Sequence, residues 1–505
     1  MTPLSLIALA SAGDALVRVE VPNHPDALIS SHLGSLLAAP PTDGTPSRPA
    51  PVAETDVGPI GGYSAWEAMD AMSVGAWHEA GYGGAGVRIA VFDLEWYGAE
   101  LDAAELGDFT THDCYVQRSC EHPIDTLRPT FSFETGSHGV ACAEVIRDIA
   151  PEAALYLVRV STLTTLENAV QWAIREDIDL ISMSLSFFNE SFYDGTGAIN
   201  EQMDLLAEAG ILMVTSAGNY ADQHYQDAFT DRDSDGFHDF PFGDGLPIYL
   251  SRGSRRIYLS WDEYRSCGRT DLDAYVYSED GLLVGRSTNR QDFEQETCSP
   301  IERVSAWAEE SGWYTLKVHH AGGMNTVRFD IMARNGEVYE PVVAGSITDP
   351  GTHPSVMTVG AIRGLNYLEA DVEAFSSQGP TAANLPKPDI AGPNGLSSTV
   401  YGPTGFYGTS ASTPAVTGAL ALVMSQDPTL TPAEAGEQLT RWALPPPGGE
   451  TWSKPDPGMG AGRARLPDPS ILSSGCRSST ALLFLPLVLT TGLRRRRRPD
   501  AVGSR

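Results

Sequence analysis

Three polar residues in distant parts of the chain have the types and positions that acyl transfer requires. Asp93 ends a buried-strand pattern, His138 opens a helical pattern, and Ser410 opens another. A serine hydroxyl is a weak nucleophile that needs a neighbouring imidazole to accept its proton. A buried carboxylate would hold that imidazole in the correct tautomer and stabilise the imidazolium that forms. These residues are therefore candidates for a nucleophilic site.

The sequence around Ser410 favours the development of negative charge. Thr409 is suited to capping a helix, and Pro414 is tolerated because N–H groups in the first turn have no intrahelical partners. Gly408 has no side chain to obstruct an approaching substrate backbone. A further strand pattern leads to Asn219, whose amide can donate to the oxyanion of a tetrahedral intermediate beside the Ser410 N–H.

A parallel sheet is expected to position these residues. Apolar runs typical of strands buried on both faces alternate with segments of helical spacing. This alternation predicts βαβ units, whose sheets carry their chemistry at the carboxyl ends of the strands. The predicted strands are 87–92, 155–160, 180–185, 211–215 and 356–360.

The stretch 248–336 has a different pattern. Its apolar residues alternate with polar ones at period two, and turn residues such as Asp280-Gly281 separate the runs. This pattern predicts an antiparallel β-sandwich of about 90 residues. Because buried-strand character resumes at Val356, we interpret the sandwich as an insertion into the α/β domain.

The motifs resemble those of subtilisin-like serine peptidases, the subtilase family. The resemblance rests on the chain order Asp, His, Ser and on three segments: His-Gly at 138–139, Ser-Ala-Gly-Asn at 216–219 and Gly-Thr-Ser-Ala-Ser-Thr-Pro at 408–414. It covers roughly residues 75–225 and 340–445. The resemblance implies a subtilisin-like α/β domain in two parts, 63–247 and 337–445. It also implies a serine endopeptidase that uses Asp93, His138, Ser410 and the oxyanion donor Asn219, with no cofactor required for the chemistry.

The same resemblance implies a substrate groove and a first specificity pocket. Substrate would bind there as an added strand, so the expected partners are proteins or peptides. The residues implied are Ser184, Leu185, Ser186, Ala217 and Gly218.

Two departures from the family pattern lie beside the candidate catalytic residues. The chain has Asp93-Leu94-Glu95 where the family usually has Asp-Thr-Gly, and Val140 where it usually has Thr. If Glu95 lies close to His138, its carboxylate would raise the pKa of the imidazole.

Two functions of different class fit these observations. The first is an exported serine endopeptidase. The second is a catalytically silent subtilisin-like scaffold whose insert binds a surface partner. Within the insert, residues 271–281 resemble the Asp-Leu-Asp strand of β-sandwich modules attached to secreted bacterial peptidases, which implies binding or stabilisation, or a passive spacer.

An acidic segment at 231–239 is a candidate calcium site. Its carboxylates alternate and a glycine stands sixth, as at the start of a calcium loop. The twelfth position is Phe242, so the segment is no complete EF-hand, and a solvated acidic turn is the alternative. The candidate ligands of a structural Ca²⁺ are Asp231, Asp233, Asp235 and Asp239.

Composition narrows the function further. The 505 residues carry a formal net charge of −32, which disfavours general nucleic-acid binding, and the 42% hydrophobic content is that of a globular protein. In an exported protein the cysteines predict two disulfides, Cys114–Cys120 and Cys267–Cys298. Cys142 is predicted to be a buried hydrophobic residue rather than a nucleophile.

The two ends of the chain differ from its body. Residues 1–62 are interpreted as a signal or prosegment remnant followed by a Pro-rich linker, and residues 446–474 as a second linker. In the tail, 475–505, a cysteine, about 13 apolar residues and five arginines follow one another, which is too short for a membrane span. This tail resembles the C-terminal sorting tails of myxobacterial surface proteins; a basic disordered tail is the alternative. The resemblance implies transient membrane association and a secreted or cell-surface location in a bacterium.

Overall fold

The structure is a computed structural model. It describes the backbone of residues 29–30 and the residues 64–115, 119–127, 136–243, 245–264, 270–291, 299–323, 326–446 and 455–473. The predicted Cys267–Cys298 disulfide and the predicted tail 475–505 lie outside the described residues. The predicted Cys114–Cys120 disulfide is present.

Among the described residues, helices alternate with strands in the first half of the chain, and three further helices follow the last strand. The described helices are α1 (Trp66–Met72), α2 (Val74–Glu79), α3 (Ala103–Leu106), α4 (His138–Ile149), α5 (Leu163–Arg175), α6 (Ala198–Ala209), α7 (Thr409–Gln426), α8 (Pro432–Trp442) and α9 (Pro469–Ser473). None of them has the length and hydropathy of a membrane-spanning helix.

The strands fall into a parallel set and an antiparallel set. They are β1 (Ile29–Ser30), β2 (Arg88–Asp93), β3 (Phe109–Asp113), β4 (Ala154–Arg159), β5 (Leu180–Met183), β6 (Ser186–Phe187), β7 (Leu212–Ser216), β8 (His224–Ala228), β9 (Leu246–Leu250), β10 (Gly253–Trp261), β11 (Asp271–Tyr277), β12 (Leu283–Ser287), β13 (Ile301–Ala308), β14 (Gly312–Gly322), β15 (Arg328–Arg334), β16 (Gly336–Val338), β17 (Met357–Arg363), β18 (Ile390–Asn394), β19 (Leu396–Ser398) and β20 (Gly402–Phe406).

Seven strands form the predicted parallel sheet, in the order β18-β17-β7-β5-β2-β4-β3. In β2, Ile89 and Val91 pack on one face with α4 and α7, while Ala90 and Phe92 pack on the other with α5 and α6. Burial on both faces explains why the strands are almost continuously apolar in sequence. The α/β fold expected from the sequence is thus confirmed.

The register of the sheet brings the candidate residues together at the carboxyl ends of the strands. Met183 of β5 lies opposite Phe92 of β2 and opposite Thr215 of β7. Because these strands are parallel, the residues that follow them leave the sheet on the same side. Asp93, Ser184 and the segment leading to Asn219 are therefore close in space.

Two antiparallel sheets enclose a second core. Their strand orders are β13-β10-β15-β8 and β12-β11-β14-β9-β16, and buried side chains such as Trp261, Leu316 and Phe329 lie between them. These strands run from His224 to Val338, so the predicted bounds 248–336 begin too late. The prediction missed β8 because its pairing with β15 joins residues about a hundred positions apart, which local periodicity does not reveal.

Candidate active site

Asp93 and His138 form a buried hydrogen-bonded pair. Nδ1 of His138 lies 2.7 Å from Oδ2 of Asp93, and the two residues are 2% and 0% exposed. Oδ1 of Asp93 accepts hydrogen bonds from the backbone amides of Leu94 and Glu95, at 2.8 and 3.0 Å. Three donors therefore compensate the burial of one carboxylate, and the aspartate fixes the imidazole with Nε2 as its available nitrogen.

His138 is held at the first turn of α4 by close packing beneath it. A Cβ on Gly139 would lie 2.7 Å from Cβ of Asp93 and 2.9 Å from the ring of Trp96, so glycine is required for this approach. The indole of Trp96 in turn donates to the backbone oxygen of Asp93 at 3.0 Å. The ring of Phe406 meets the His138 imidazole edge-on at 5.7 Å between centroids.

The pKa of His138 is raised above its usual value. Complete burial lowers the pKa, but the charge of Asp93, its hydrogen bond and the charge of Glu95 together outweigh that effect. The direction of the Glu95 contribution is the one expected from the sequence. Its carboxylate lies against Gly136, two residues before the histidine, where an added Cβ would be 2.0 Å from Oε2.

Ser410 lies in the first turn of α7, whose N-cap residue is Gly408. Its backbone oxygen accepts hydrogen bonds from Oγ of Ser184 at 3.1 Å and from Sγ of Cys142 at 3.8 Å. Cys142 also places its sulfur within 4.8 Å of ligand atoms of Asp93 and His138. The serine is thus tied to the helix that carries the histidine.

Oγ of Ser410 and Nε2 of His138 are both buried, and neither has a hydrogen-bond partner among the described residues. Of the two hydrogen bonds that would connect Asp93, His138 and Ser410, the one between Asp93 and His138 is therefore present, and the one between His138 and Ser410 is not formed. Catalytic hydrogen bonds are often long in substrate-free enzymes and tighten only in the complex. Buried polar atoms normally have hydrogen-bond partners, so these two unpaired atoms are better explained by a role in a reaction than by a role in holding the fold together.

Asn219 is oriented by the residue that precedes the serine. Its Oδ1 accepts hydrogen bonds from the backbone N–H and the hydroxyl of Thr409, at 3.0 and 2.9 Å. Its Nδ2 lies so close to Gly408 that an added Cβ there would be 2.6 Å away, and Gly408 has a φ of +104°. The amide nitrogen therefore lies beside the start of α7, where the Ser410 N–H has no intrahelical acceptor.

The five residues predicted to line the groove border the same region. Ser184, Leu185 and Ser186 follow β5, and all three are at most 3% exposed. The short strand β6 pairs antiparallel with β1, with Ile29 opposite Phe187 and Ser30 opposite Ser186. Ala217 and Gly218 follow β7, and Ser377 donates its backbone N–H to the oxygen of Gly218 at 2.9 Å. The strand β6 thus pairs with one extended segment of the chain, β1.

Three of the candidate calcium ligands come together in the structure. Carboxylate oxygens of Asp231, Asp233 and Asp235 lie within 4.8 Å of one another in the loop between β8 and β9. Oδ1 and Oδ2 of Asp231 accept hydrogen bonds from the amides of Ser234 and Gly236, which curls the loop around that carboxylate. Asp239 is not one of the three, and its Oδ2 accepts from the backbone N–H of Arg232.

Two residues near the histidine were not identified from the sequence. The rings of Tyr401 and Phe406 stack at 5.2 Å on the hairpin formed by β19 and β20, and Phe406 covers the imidazole. The sequence gives little indication of these two contacts, because the hairpin and α4 are far apart in the chain and meet only on folding. The proximity of Cys142 to His138 could have been predicted, since a residue four positions after His138 lies on the same helix face.

Comparison with known proteins agrees with this architecture. The model of the subtilase family, Peptidase_S8, matches residues 130–234 and 295–460, which is more than half of the chain. The chain therefore belongs to the subtilase family. The match begins after Asp93, so the place of this residue in the site rests on its hydrogen bond to His138.

Individual relatives are similar over part of the chain. Serine protease AprX of Bacillus subtilis is 30% identical over 192 residues, which is 32% of this chain and 42% of the relative. Subtilisin of Bacillus pumilus is 34% identical over 152 residues, which is 28% of this chain and 51% of the relative. The chain thus spans about half or less of the length of these relatives.

A solved structure has the same fold. The CspB protease of Clostridium perfringens is 17% identical, with a TM-score of 0.54, and the similarity covers 82% of this chain and all of the other. At this level of identity the likeness concerns the fold alone.

Proposed function

We propose that this chain is a serine endopeptidase that hydrolyses peptide bonds in proteins or peptides through an acyl-enzyme. The observation that carries the proposal is the buried Asp93–His138 hydrogen bond, with the unpaired Ser410 hydroxyl and the Asn219 amide at the same edge of the sheet. Family membership supports the same reaction.

In this mechanism Oγ of Ser410 attacks the scissile carbonyl carbon while Nε2 of His138 takes the hydroxyl proton. Asp93 stabilises the imidazolium through Nδ1–H. The carbonyl oxygen becomes an oxyanion that accepts hydrogen bonds from Nδ2 of Asn219 and the Ser410 N–H. The imidazolium then protonates the leaving amine, and water attacks the ester by the reverse route.

Substrates would bind by strand addition along Ser184–Ser186. The antiparallel pairing of β1 with β6 supports this proposal, because the backbone groups of β6 already bond an extended segment. It also supports the interpretation of the region before residue 62 as a prosegment remnant. A segment that occupies this edge would compete with substrate until it is removed.

A fluorophosphonate probe tests the reaction. The folded, processed enzyme is expected to be labelled, and Ser410→Ala is expected to abolish the label. Ser425→Ala, near the other end of the same helix, is the matched control and should retain it. Failure of the folded wild type to react would contradict the proposal and favour the catalytically silent scaffold.

We further propose that the protein acts outside the cytoplasm, in the secreted or surface fraction of a bacterium. The Cys114–Cys120 disulfide supports export, since such bonds persist in oxidising compartments. The tail 475–505 would give transient membrane association through its apolar run and arginines. Truncation after residue 474 should move the protein from the membrane fraction to the soluble one; an unchanged distribution would contradict the role of the tail.

Calcium would have a structural role in this proposal, and the chemistry itself requires no cofactor. The three clustered carboxylates of Asp231, Asp233 and Asp235 support a cation at the loop between β8 and β9. Asp239 would act from outside this group, through its charge.

A further inference from the structure

The inserted sandwich contacts the catalytic domain beside the proposed specificity pocket. A small cluster of buried side chains joins the two parts, and each of its members is at most 3% exposed. Phe188 and Tyr220 come from the catalytic domain, directly after β6 and directly after Asn219, whereas Tyr258 and Met332 come from β10 and β15 of the insert.

Tyr220 lies beside Gly218, one of the residues proposed to line the pocket. Its ring lies over Gly218, where an added Cβ would be 2.6 Å from Cδ2 and 2.7 Å from Cε2 of the tyrosine. The Tyr220 backbone N–H donates to Oγ of Ser377 at 3.1 Å, and Ser377 donates its own N–H to the oxygen of Gly218. The backbone of this wall is thus fixed, and the ring of Tyr220 takes up space beside Gly218.

Phe188 contacts both that ring and a ring of the insert. It meets Tyr220 edge-on at 5.2 Å between centroids, and Tyr258 stacks on it at 4.8 Å and 13°. Arg303 of β13 lies over the Tyr258 ring at 5.7 Å. Asn189, the next residue after Phe188, donates its side-chain amide to the backbone oxygen of Glu302 at 3.1 Å. The segment that follows β6 is therefore clamped against the insert.

We propose that the inserted sandwich sets the substrate specificity of the enzyme by holding Tyr220 against Gly218 through Phe188. The pocket between Ser184–Ser186 and Ala217–Gly218 then accepts a small side chain, such as that of glycine, alanine or serine, at the residue preceding the scissile bond. This inference rests on the proposed peptidase function. Tyr258 is a positioning residue in it, because it acts on the pocket only through Phe188.

The test compares hydrolysis of a peptide series in which the residue before the scissile bond is glycine, alanine, serine, leucine or phenylalanine. The wild type should prefer alanine to phenylalanine by about tenfold or more in kcat/KM, since a filled pocket excludes a large side chain. Tyr220→Ala should reduce that ratio by about tenfold or more, chiefly by raising kcat/KM for phenylalanine.

Variants in the insert test whether the insert affects the pocket through the position of Tyr220. Tyr258→Ala should change the ratio in the same direction as Tyr220→Ala, and Tyr258→Phe, which keeps the stacked ring, should leave it unchanged. Tyr277→Ala removes a tyrosine from β11, in the other sheet of the insert, and is the matched control. Circular dichroism and the melting temperature identify variants that fail to fold, and Tyr258→Leu is the replacement for an unfolded Tyr258→Ala.

The outcomes distinguish this inference from the function on which it rests. An active wild type that cleaves after phenylalanine as readily as after alanine contradicts the inference alone. So does a folded Tyr258→Ala or Tyr258→Leu with the wild-type ratio. A folded wild type that takes no fluorophosphonate label and cleaves no peptide contradicts the proposed function, and the inference with it.

Discussion

At the scale of single residues, the site contains one buried carboxylate with hydrogen bonds to both of its oxygens and two buried polar atoms that have no hydrogen-bond partner among the described residues. The Asp93 carboxylate has hydrogen bonds on both oxygens, so its geometry is fixed before substrate arrives. Nε2 of His138 and Oγ of Ser410 lack such partners among the described residues. Burying them without partners costs free energy, on the order of 1–3 kcal/mol each, that a reacting substrate can recover.

The pH dependence of activity is expected to depend on Glu95. His138 acts as a base only when neutral, and the negative charge of Glu95 helps to raise its pKa, so activity should increase as pH rises through that pKa. Glu95→Gln removes the charge, which lowers the pKa of His138 and should move the acid limb of the kcat/KM profile to lower pH. Glu79→Gln, on the surface helix α2, is the control. An acid limb that does not move would show that the charge of Glu95 does not influence the pKa of His138.

Asn219 is expected to act as a hydrogen-bond donor in the transition state. Asn219→Ala should lower kcat by about 10²–10³ with little change in KM, a range known from the corresponding amide of subtilisin and carried over here. Because Oδ1 of Asn219 also holds Thr409, a purely positional role must be separated from donation. Asn219→Asp keeps that acceptor and removes the donor, so it should lose activity as well. Activity retained by the aspartate variant would show that only positioning matters.

At the scale of elements, α4 connects the site to two acidic side chains further along the helix. It begins at His138, and one to three turns later come Glu144, which is buried, and Asp148, which is half-buried. Burial, together with the neighbouring Asp102, raises the pKa of Glu144, whose Oε2 accepts the Thr399 amide at 3.0 Å. The Glu144 side chain thus joins α4 to the segment that precedes the β20 strand.

The stability of this helix contact should fall as pH rises. Burial, partly offset by a hydrogen bond from the Ala65 amide, and the charge of Glu105 raise the pKa of Asp148 from 3.8 to about 7. A raised acid binds its proton more tightly in the folded state, so its contribution is complete below pH 3.8 and is lost as pH rises through about 7. Asp148→Asn should therefore melt higher than the wild type at pH 8, with a smaller difference at pH 5.

Thermal unfolding followed by circular dichroism measures this difference. The matched control is Asp70→Asn, an exposed residue of α1, which should follow the wild type at both values of pH. A wild type and an Asp148→Asn variant with parallel pH dependence would show that Asp148 is ionised in the folded protein.

At the scale of the whole molecule, local pattern predicted more of the parallel sheet than of the two antiparallel sheets. The ends of buried parallel strands identified Asp93 and Asn219, because the register of such a sheet follows from its topology. The contacts of Tyr220 with Phe188, and of Phe188 with Tyr258, could not be predicted. They join residues that are distant in sequence, and each of these aromatic side chains is equally consistent with an ordinary core position.

The same limitation applies to the acidic loop. The sequence placed it at the boundary of an insert that starts at 248, whereas the structure has it between β8 and β9. These strands belong to different sheets, so the loop crosses from one sheet of the sandwich to the other. A cation bound there would fix the crossing, and its effect belongs to the stability of the insert rather than to catalysis.

Calcium is therefore expected to raise the melting temperature of the protein. At a free concentration about a hundred times the dissociation constant, binding stabilises the folded state by about 2.7 kcal/mol, which for a chain of 505 residues corresponds to a shift on the order of 3 °C. Differential scanning calorimetry in calcium and in chelator measures the shift. Asp231→Asn should abolish it, because Asp231 organises the loop through the Ser234 and Gly236 amides, while Asp280→Asn, in the turn after β11, should not. A wild type that melts at the same temperature with calcium and with chelator would identify the loop as a solvated acidic turn.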